Sequence, residues 1–314
     1  MVEGVKICVT LRPQNSIVMK TLQIIKKEYQ RVGYDANDIE PVEYTEVKAS
    51  YNEQGQIVRE ERFDPDGNLN TLTVNTYNEN NLLLQSEQFD MDDILLQKIV
   101  NYYDENQNLI RQGNFFGEDE NEYITQYVYD EDGNLIRLEM YSDGELDYVE
   151  KEMVYADGLL VKELENDDYG NKVNVHQYEY NEKGLVVKHV RDEVQNKDRR
   201  TYEYSYDEND NCIKELVYDY GNSLIAKVYR QYNENNKLVE TVEEDLDHYR
   251  RITMEYEGDL VVKNSLFNKD GELLGWAEYT YDENGKENSS REFIQDEVKP
   301  ENFRQIRETR YERA

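Results

Sequence analysis

One tyrosine sets the rhythm of this chain and limits what it can fold into. Tyr51, Tyr77, Tyr103, Tyr129 and Tyr155 stand 26 residues apart. Tyr180, Tyr206, Tyr232, Tyr256 and Tyr281 continue the series at intervals of 25, 26, 26, 24 and 25. Most of them open the same punctuation, Tyr-Asp/Asn-Glu-X-Gly/Asn-X-Leu-Ile. It reads YNEQGQIV at Tyr51, YDENQNLI at Tyr103, YDEDGNLI at Tyr129 and YDENDNCI at Tyr206. A fixed period of this size marks a stacked-repeat protein. Such arrays offer a long surface in place of a single pocket.

Residues 126–150, QYVYDEDGNLIRLEMYSDGELDYVE, show how one repeat is built. Tyr127 and Tyr129 are two apart and share one face of a strand. Asp130 to Asn134 is a turn, because Gly133 accepts a positive φ and Asp and Asn bond their own backbone. Leu135 to Met140 returns as a second strand, and Tyr141 to Gly144 turns again toward Tyr155. A second aromatic-led turn recurs at Phe63, Phe89, Tyr141, Tyr218 and Phe267. The spacing predicts an all-β array of ten antiparallel hairpin repeats, on the order of twenty short strands, in a single twisted or curled sheet.

The kernel Tyr-X-Tyr-Asp-X-X-Gly-X-Leu, present as YVYDEDGNL (127–135) and YSYDENDNC (204–212), resembles the tyrosine-aspartate repeat of Rhs and teneurin proteins. In that family, strings of hairpins coil into a large hollow shell, which in Rhs proteins encloses a toxin segment. The resemblance covers residues 47–290. The chain departs from the pattern in its strict period, in being too short to close a shell around cargo, and in lacking a recognisable toxin domain. A second resemblance is to variant MORN-type hairpin repeat proteins that act as bacterial antitoxin or immunity components, although their Gly-rich spacing differs. It implies a protein-binding role.

An open hairpin stack has two edges that need covering. Ser16 is placed to N-cap a helix over roughly 17–32, with Val18, Leu22, Ile25 and Tyr29 on one face, after a strand from Val5 to Leu11. Pro300 suits the first turn of a second helix reaching about Arg313, with Arg304, Arg307, Arg310 and Arg313 in one basic strip. The expected organisation is a strand–helix cap over 1–46, an acidic Tyr-rich array over 47–290 and a helical cap over 291–314.

The formal charge is −33, and about −32 of it falls on residues 47–290. Such a field repels nucleic acid and anionic lipid and draws in basic proteins. Turn chemistry explains part of the acidity, but Asn would serve the same turns without charge. The 28 tyrosines argue for a folded chain despite the charge. The N-terminal residues do not read as a secretion signal, and Cys8 and Cys212 form no motif, so cytoplasm is the expected compartment. Cys212 occupies the position that Leu109, Leu135 and Leu238 hold in their own repeats.

No catalytic constellation stands out from the repeat pattern. There is no P-loop, GxGxxG or GxSxG. DEDGN (130–134) fails as a calcium loop, with Leu135 at position six and Tyr141 at position twelve. His176, His189 and His248 share no spacing and read as surface residues. The expectation is a monomeric non-enzyme with no cofactor, no metal, and no nucleic-acid or membrane partner. The function indicated is a cytoplasmic protein-binding module, foremost an immunity or antitoxin protein neutralising a basic toxin such as a nuclease. A structural Rhs-like scaffold or shell fragment is the alternative, and a DNA-mimic inhibitor of a nucleic-acid-binding protein is a third. Binding is expected where the repeat breaks its rule: Asp167, Asp168 and Tyr169 in one turn, and Glu243, Glu244, Asp245, Asp247 and Tyr249 in another.

Overall fold

Every five-residue turn is organised by its first side chain. Asp130 Oδ1 accepts the backbone N–H groups of Asp132 (3.0 Å) and Asn134 (2.8 Å), and its Oδ2 accepts the Asn134 amide at 3.0 Å. The Gly133 N–H donates to Asp130 O and the Asp130 N–H to Asn134 O. Gly133 has φ +85° with open space around it, so glycine is required there by backbone conformation alone. Asn52, Asn78, Asn181, Asn233 and Asn268 build the same turn from a neutral amide.

The computed structural model describes residues 20–32, 42–117, 123–295 and 303–313. It contains β1 (Lys20–Val32), β2 (Val42–Tyr51), β3 (Ile57–Phe63), β4 (Leu69–Tyr77), β5 (Leu83–Phe89) and β6 (Leu95–Tyr103). Next come β7 (Leu109–Phe116), β8 (Tyr123–Tyr129), β9 (Leu135–Ser142), β10 (Glu145–Ala156) and β11 (Leu159–Asn166). They are followed by β12 (Lys172–Tyr180), β13 (Val186–Glu193), β14 (Asp198–Tyr206), β15 (Cys212–Tyr218) and β16 (Leu224–Tyr232). The chain ends with β17 (Leu238–Asp245), β18 (Tyr249–Glu257), β19 (Leu260–Phe267), β20 (Leu273–Tyr281), β21 (Glu287–Gln295) and β22 (Phe303–Arg313). All 22 strands form one antiparallel sheet, each pairing with its sequence neighbours.

The period has a geometric cause. The Tyr129 hydroxyl donates to the carbonyl of Leu109, the first residue of β7, at 2.9 Å. Tyr77, Tyr103, Tyr155, Tyr180, Tyr206, Tyr232 and Tyr281 make the same bond to the residue twenty positions earlier. Tyr256 reaches back 18 residues, to Leu238, because the turn between β17 and β18 is shorter than its counterparts. Each tyrosine thus clasps its hairpin to the preceding one.

The same repeat unit carries the curvature. Val128 pairs with Arg137 but Tyr129 pairs with Leu135, leaving Ile136 as the extra residue of a bulge. The shift recurs beside Tyr51, Phe63, Tyr77, Phe89, Tyr103, Tyr180, Tyr206, Tyr218, Tyr232, Phe267 and Tyr281. Bulges bend a strand and sharpen its twist, and repeating them at both ends of the strands rolls the sheet up.

The sheet closes. β1 pairs with β2 along one edge, through Ile24↔Val47, and with β22 along the other, through Ile24↔Tyr311. The expectation of a single twisted or curled sheet with capped ends is therefore corrected to a closed barrel. The helices expected over 17–32 and 300–313 are also corrected: their described parts are the strands β1 and β22. A helix leaves the N–H and C=O groups of two sheet edges unpaired, whereas one shared strand pairs both. As strand, the arginine strip divides between faces. Arg307 bonds Glu292 at 2.8 Å, while Arg310 bonds Glu312 at 3.1 Å. Val5–Leu11 and Ser16 lie outside the described residues.

The wall is one strand thick. Its buried residues are split between the faces, with Val47, Ala49 and Val217 on the face that carries the repeat tyrosines and Leu72 and Val190 on the other. No large side chain among the described residues is fully buried, so burial comes from neighbours in the same layer. A round ring of this many strands at about 4.8 Å spacing has a radius of about 17 Å before tilt widens it, too wide for side chains to fill.

Candidate functional site

The barrel has two rims, and their turn tips differ. The rim that follows the repeat tyrosines carries polar tips such as Glu105-Asn106-Gln107 and Glu234-Asn235-Asn236. The opposite rim carries large exposed side chains: Met91 (63%), Tyr169 (83%), Tyr220 (76%) and Leu246 (79%), with Val194 and Leu273 also exposed. From Tyr169 through Val194, Tyr220 and Leu246 to Leu273 these come from five consecutive turns. Alternate strands lie about 10 Å apart, so the row spans an arc of roughly 40 Å.

Both groups of residues singled out from the sequence lie on this rim. The first is not an irregular turn. Asp167 accepts the Tyr169 and Asn171 N–H groups at 3.0 and 2.8 Å, as Asp130 does in its own turn. The Asn171 N–H, the foremost of these bonds, holds the Asp167 carboxyl below the usual carboxylate range despite some desolvation. Asp168 and Tyr169 are its exposed tip.

The second group is irregular and is partly committed to structure. Asp245 Oδ1 accepts the N–H groups of Asp247 (2.9 Å) and His248 (2.7 Å), which lowers its pKa and closes the shortened turn. Glu244 is held by Lys227 at 2.9 Å and Lys269 at 3.3 Å, and these bonds lower its pKa. Glu243 lies opposite Arg250, and Tyr249 lies opposite Glu244. Between this turn and the next, Leu246, Asp247, Tyr249, Lys269, Asp270 and Leu274 line an open depression of about 350 Å³. Charge and apolar surface therefore meet here, with no enclosed cavity.

A third cluster lies on the tyrosine face, spanning β10 to β14. Lys151 bridges Glu163 (3.1 Å) and Glu165 (2.7 Å). The Glu165 bond, aided by Glu163, pushes the Lys151 pKa up to about 12 against some desolvation. The Lys151 bond in turn lowers that of Glu165, which also accepts the Asn174 amide at 2.7 Å. His176 Nδ1 lies 2.9 Å from His189 Nε2, and His189 stacks between Tyr178 (4.7 Å) and Tyr202 (5.1 Å). Burial, then the neighbouring His176 and Arg191, pull the His189 pKa down. The sequence reading set these histidines apart. Counting outward from the turn at 181–185 places His189 opposite Tyr178 and one step from His176, so the signal was present in the hairpin register.

No protein-family model and no curated protein matches this chain. Among solved structures, it is similar to a chain of the TcdB2-TccC3-Cdc42 crystal structure, at 14% identity and TM-score 0.35 over 80% of this chain. It spans 15% of that chain's length. It is also similar to a porin-like protein from Bacteroides uniformis ATCC 8492, at 11% identity and TM-score 0.33, covering 93% of this chain and 97% of the other.

Proposed function

We propose that this chain is a structural hairpin-repeat scaffold, a ring-closed barrel of Rhs-like type, whose apolar-tipped rim docks a basic polypeptide, and that it carries out no reaction itself. The carrying observation is that Met91, Tyr169, Tyr220 and Leu246, the most exposed large apolar and aromatic side chains among the described residues, all stand on one rim. Exposed aromatic and aliphatic tips rimmed by charge are the usual anchors of a protein interface. Acidity supports the choice of partner. The Asn-built turns make the same backbone bonds as the Asp-built ones, so the turn geometry does not require the charge of −33. A basic toxin, as in the immunity reading, is one partner of this chemistry.

The composition of the faces argues against a membrane-spanning barrel. Lys188, Lys214, Lys227 and Lys263 lie within strands on one face, and Glu60, Arg191 and Arg230 on the other. A Lys or Arg on a lipid-facing midplane costs about 2–4 kcal/mol, so neither face makes an apolar band.

A fluorescent amphipathic Lys/Leu peptide tests the rim. It should bind the intact protein at low salt, weaken as salt rises, and bind about tenfold more weakly to a Tyr169→Ser/Tyr220→Ser/Leu246→Ser variant with unchanged circular dichroism. Equal binding to the variant, or none to the parent at low salt, would overturn the docking rim.

A further inference from the structure

The cluster around Lys151 has a use that the scaffold reading neither needs nor supplies. We infer that Glu163, Glu165 and His176 form a binding site for a divalent transition ion, Zn²⁺ foremost, with the Lys151 ammonium holding the place of the cation.

The donor set comes first. One carboxylate oxygen from each glutamate and one ring nitrogen of His176 lie within 4.8 Å of one another. Histidine with carboxylates is a zinc-type donor set, and metal–donor bonds of about 2.0–2.2 Å require these atoms to close to roughly 3.3 Å. All three side chains are half-buried.

Orientation comes second. A metal-bound histidine is normally fixed through its other ring nitrogen. Here His176 Nδ1 is held at 2.9 Å by His189 Nε2, and His189 is itself fixed between Tyr178 and Tyr202. With His176 Nδ1 donating that bond, its Nε2 presents a lone pair toward Glu165 Oε2 at 3.9 Å. Two acceptors then face each other across a gap that a cation fills. Asn174 fixes Glu165 from the other side, its amide N–H donating at 2.7 Å, while its own Oδ1 is buried without a hydrogen-bond partner.

Charge comes third. Two carboxylates and one ammonium leave a net negative site. A divalent ion that displaces Lys151 to solvent neutralises the pair in full, and the Lys151 side chain is already 30% exposed.

Titration of the full chain with Co²⁺ in metal-free buffer tests the site. One equivalent should develop a visible d–d band that Zn²⁺ abolishes and Ca²⁺ leaves intact. Glu165→Gln and His176→Gln should each weaken binding by about tenfold or more, with circular dichroism confirming the fold. Lys151→Met should tighten it, because the competing ammonium is gone. That last variant retains every ligand, so it keeps the test valid if the others fold poorly. Equal Co²⁺ affinity in His176→Gln, no gain in Lys151→Met, or many weak equivalents without a band would overturn the site in favour of unspecific binding to an acidic surface.

Discussion

The repeat tyrosine does three jobs at its position. Its ring covers the tyrosine face, its backbone forms the closing pair of a bulged turn, and its hydroxyl ties adjacent hairpins. Tyr129→Phe keeps the first two and removes only the bond to Leu109 O. A hydrogen bond of this kind contributes about 0.5–1.5 kcal/mol net, so the unfolding free energy should fall by that amount, read as a lower urea midpoint at unchanged slope. Tyr169→Phe, at an exposed tip, should leave the midpoint where it is. Turn residues show the same division of labour. Asp93, Gln107 and Asn236 adopt positive φ where most repeats place glycine, and each carries a strain that glycine would relieve.

At the scale of elements, the hairpins are interchangeable and β1 is not. It joins the two ends of the chain, pairing with β2 on one side and with β22 on the other over eleven register positions. Ile24 sits where both ladders pass, opposite Val47 and Tyr311. Proline at this position cannot donate to the ladder and disrupts the pairing of a central strand. Ile24→Pro should therefore open the ring, expose the edges of β2 and β22, and drive edge-to-edge association. Light scattering should report a larger, concentration-dependent mass. A monodisperse particle of unchanged mass would mean that the remaining strands close without β1.

The whole molecule depends on neutral phenols. Burial, the foremost cause in each case, raises the pKa of Tyr77, Tyr127, Tyr129, Tyr155, Tyr178, Tyr180, Tyr204, Tyr206, Tyr232 and Tyr281. A group whose folded pKa is raised stabilises the fold fully below its unfolded value and loses that contribution as pH climbs through the folded value. For tyrosine the loss begins above about pH 10. Ionisation also adds charge to a chain already at −33 and removes the hydroxyl donor from each tyrosine that clasps its hairpin to the preceding one. The barrel should unfold cooperatively in alkali, with tyrosinate absorbance and loss of strand circular dichroism rising together. Tyrosines that titrate in an intact fold would contradict this.

The sequence by itself determined the hairpins, their antiparallel order and their register, because a turn is a local object. Asp130, Gly133 and Leu135 lie within six residues, and the chemistry of each bears directly on the next. It also contained the reason for the period, since the exceptions at 24 and 25 residues coincide with shortened turns. What only the tertiary structure decided was closure. The segment 20–32 carries apolar residues at spacings that suit a helix face or a strand equally, and the choice between them is made by two unpaired edges that meet only after the bulges have rolled the sheet through a full turn. Tyr169, Tyr220 and Leu246, by contrast, share a rim through the antiparallel order alone, since their turns follow one another along one side of the sheet. The meeting of Lys151, Glu163, Glu165, His176 and His189 needed the register of four adjacent strands at once. No single residue pattern encodes it, because it follows from the sum of three turn lengths and the bulges beside them.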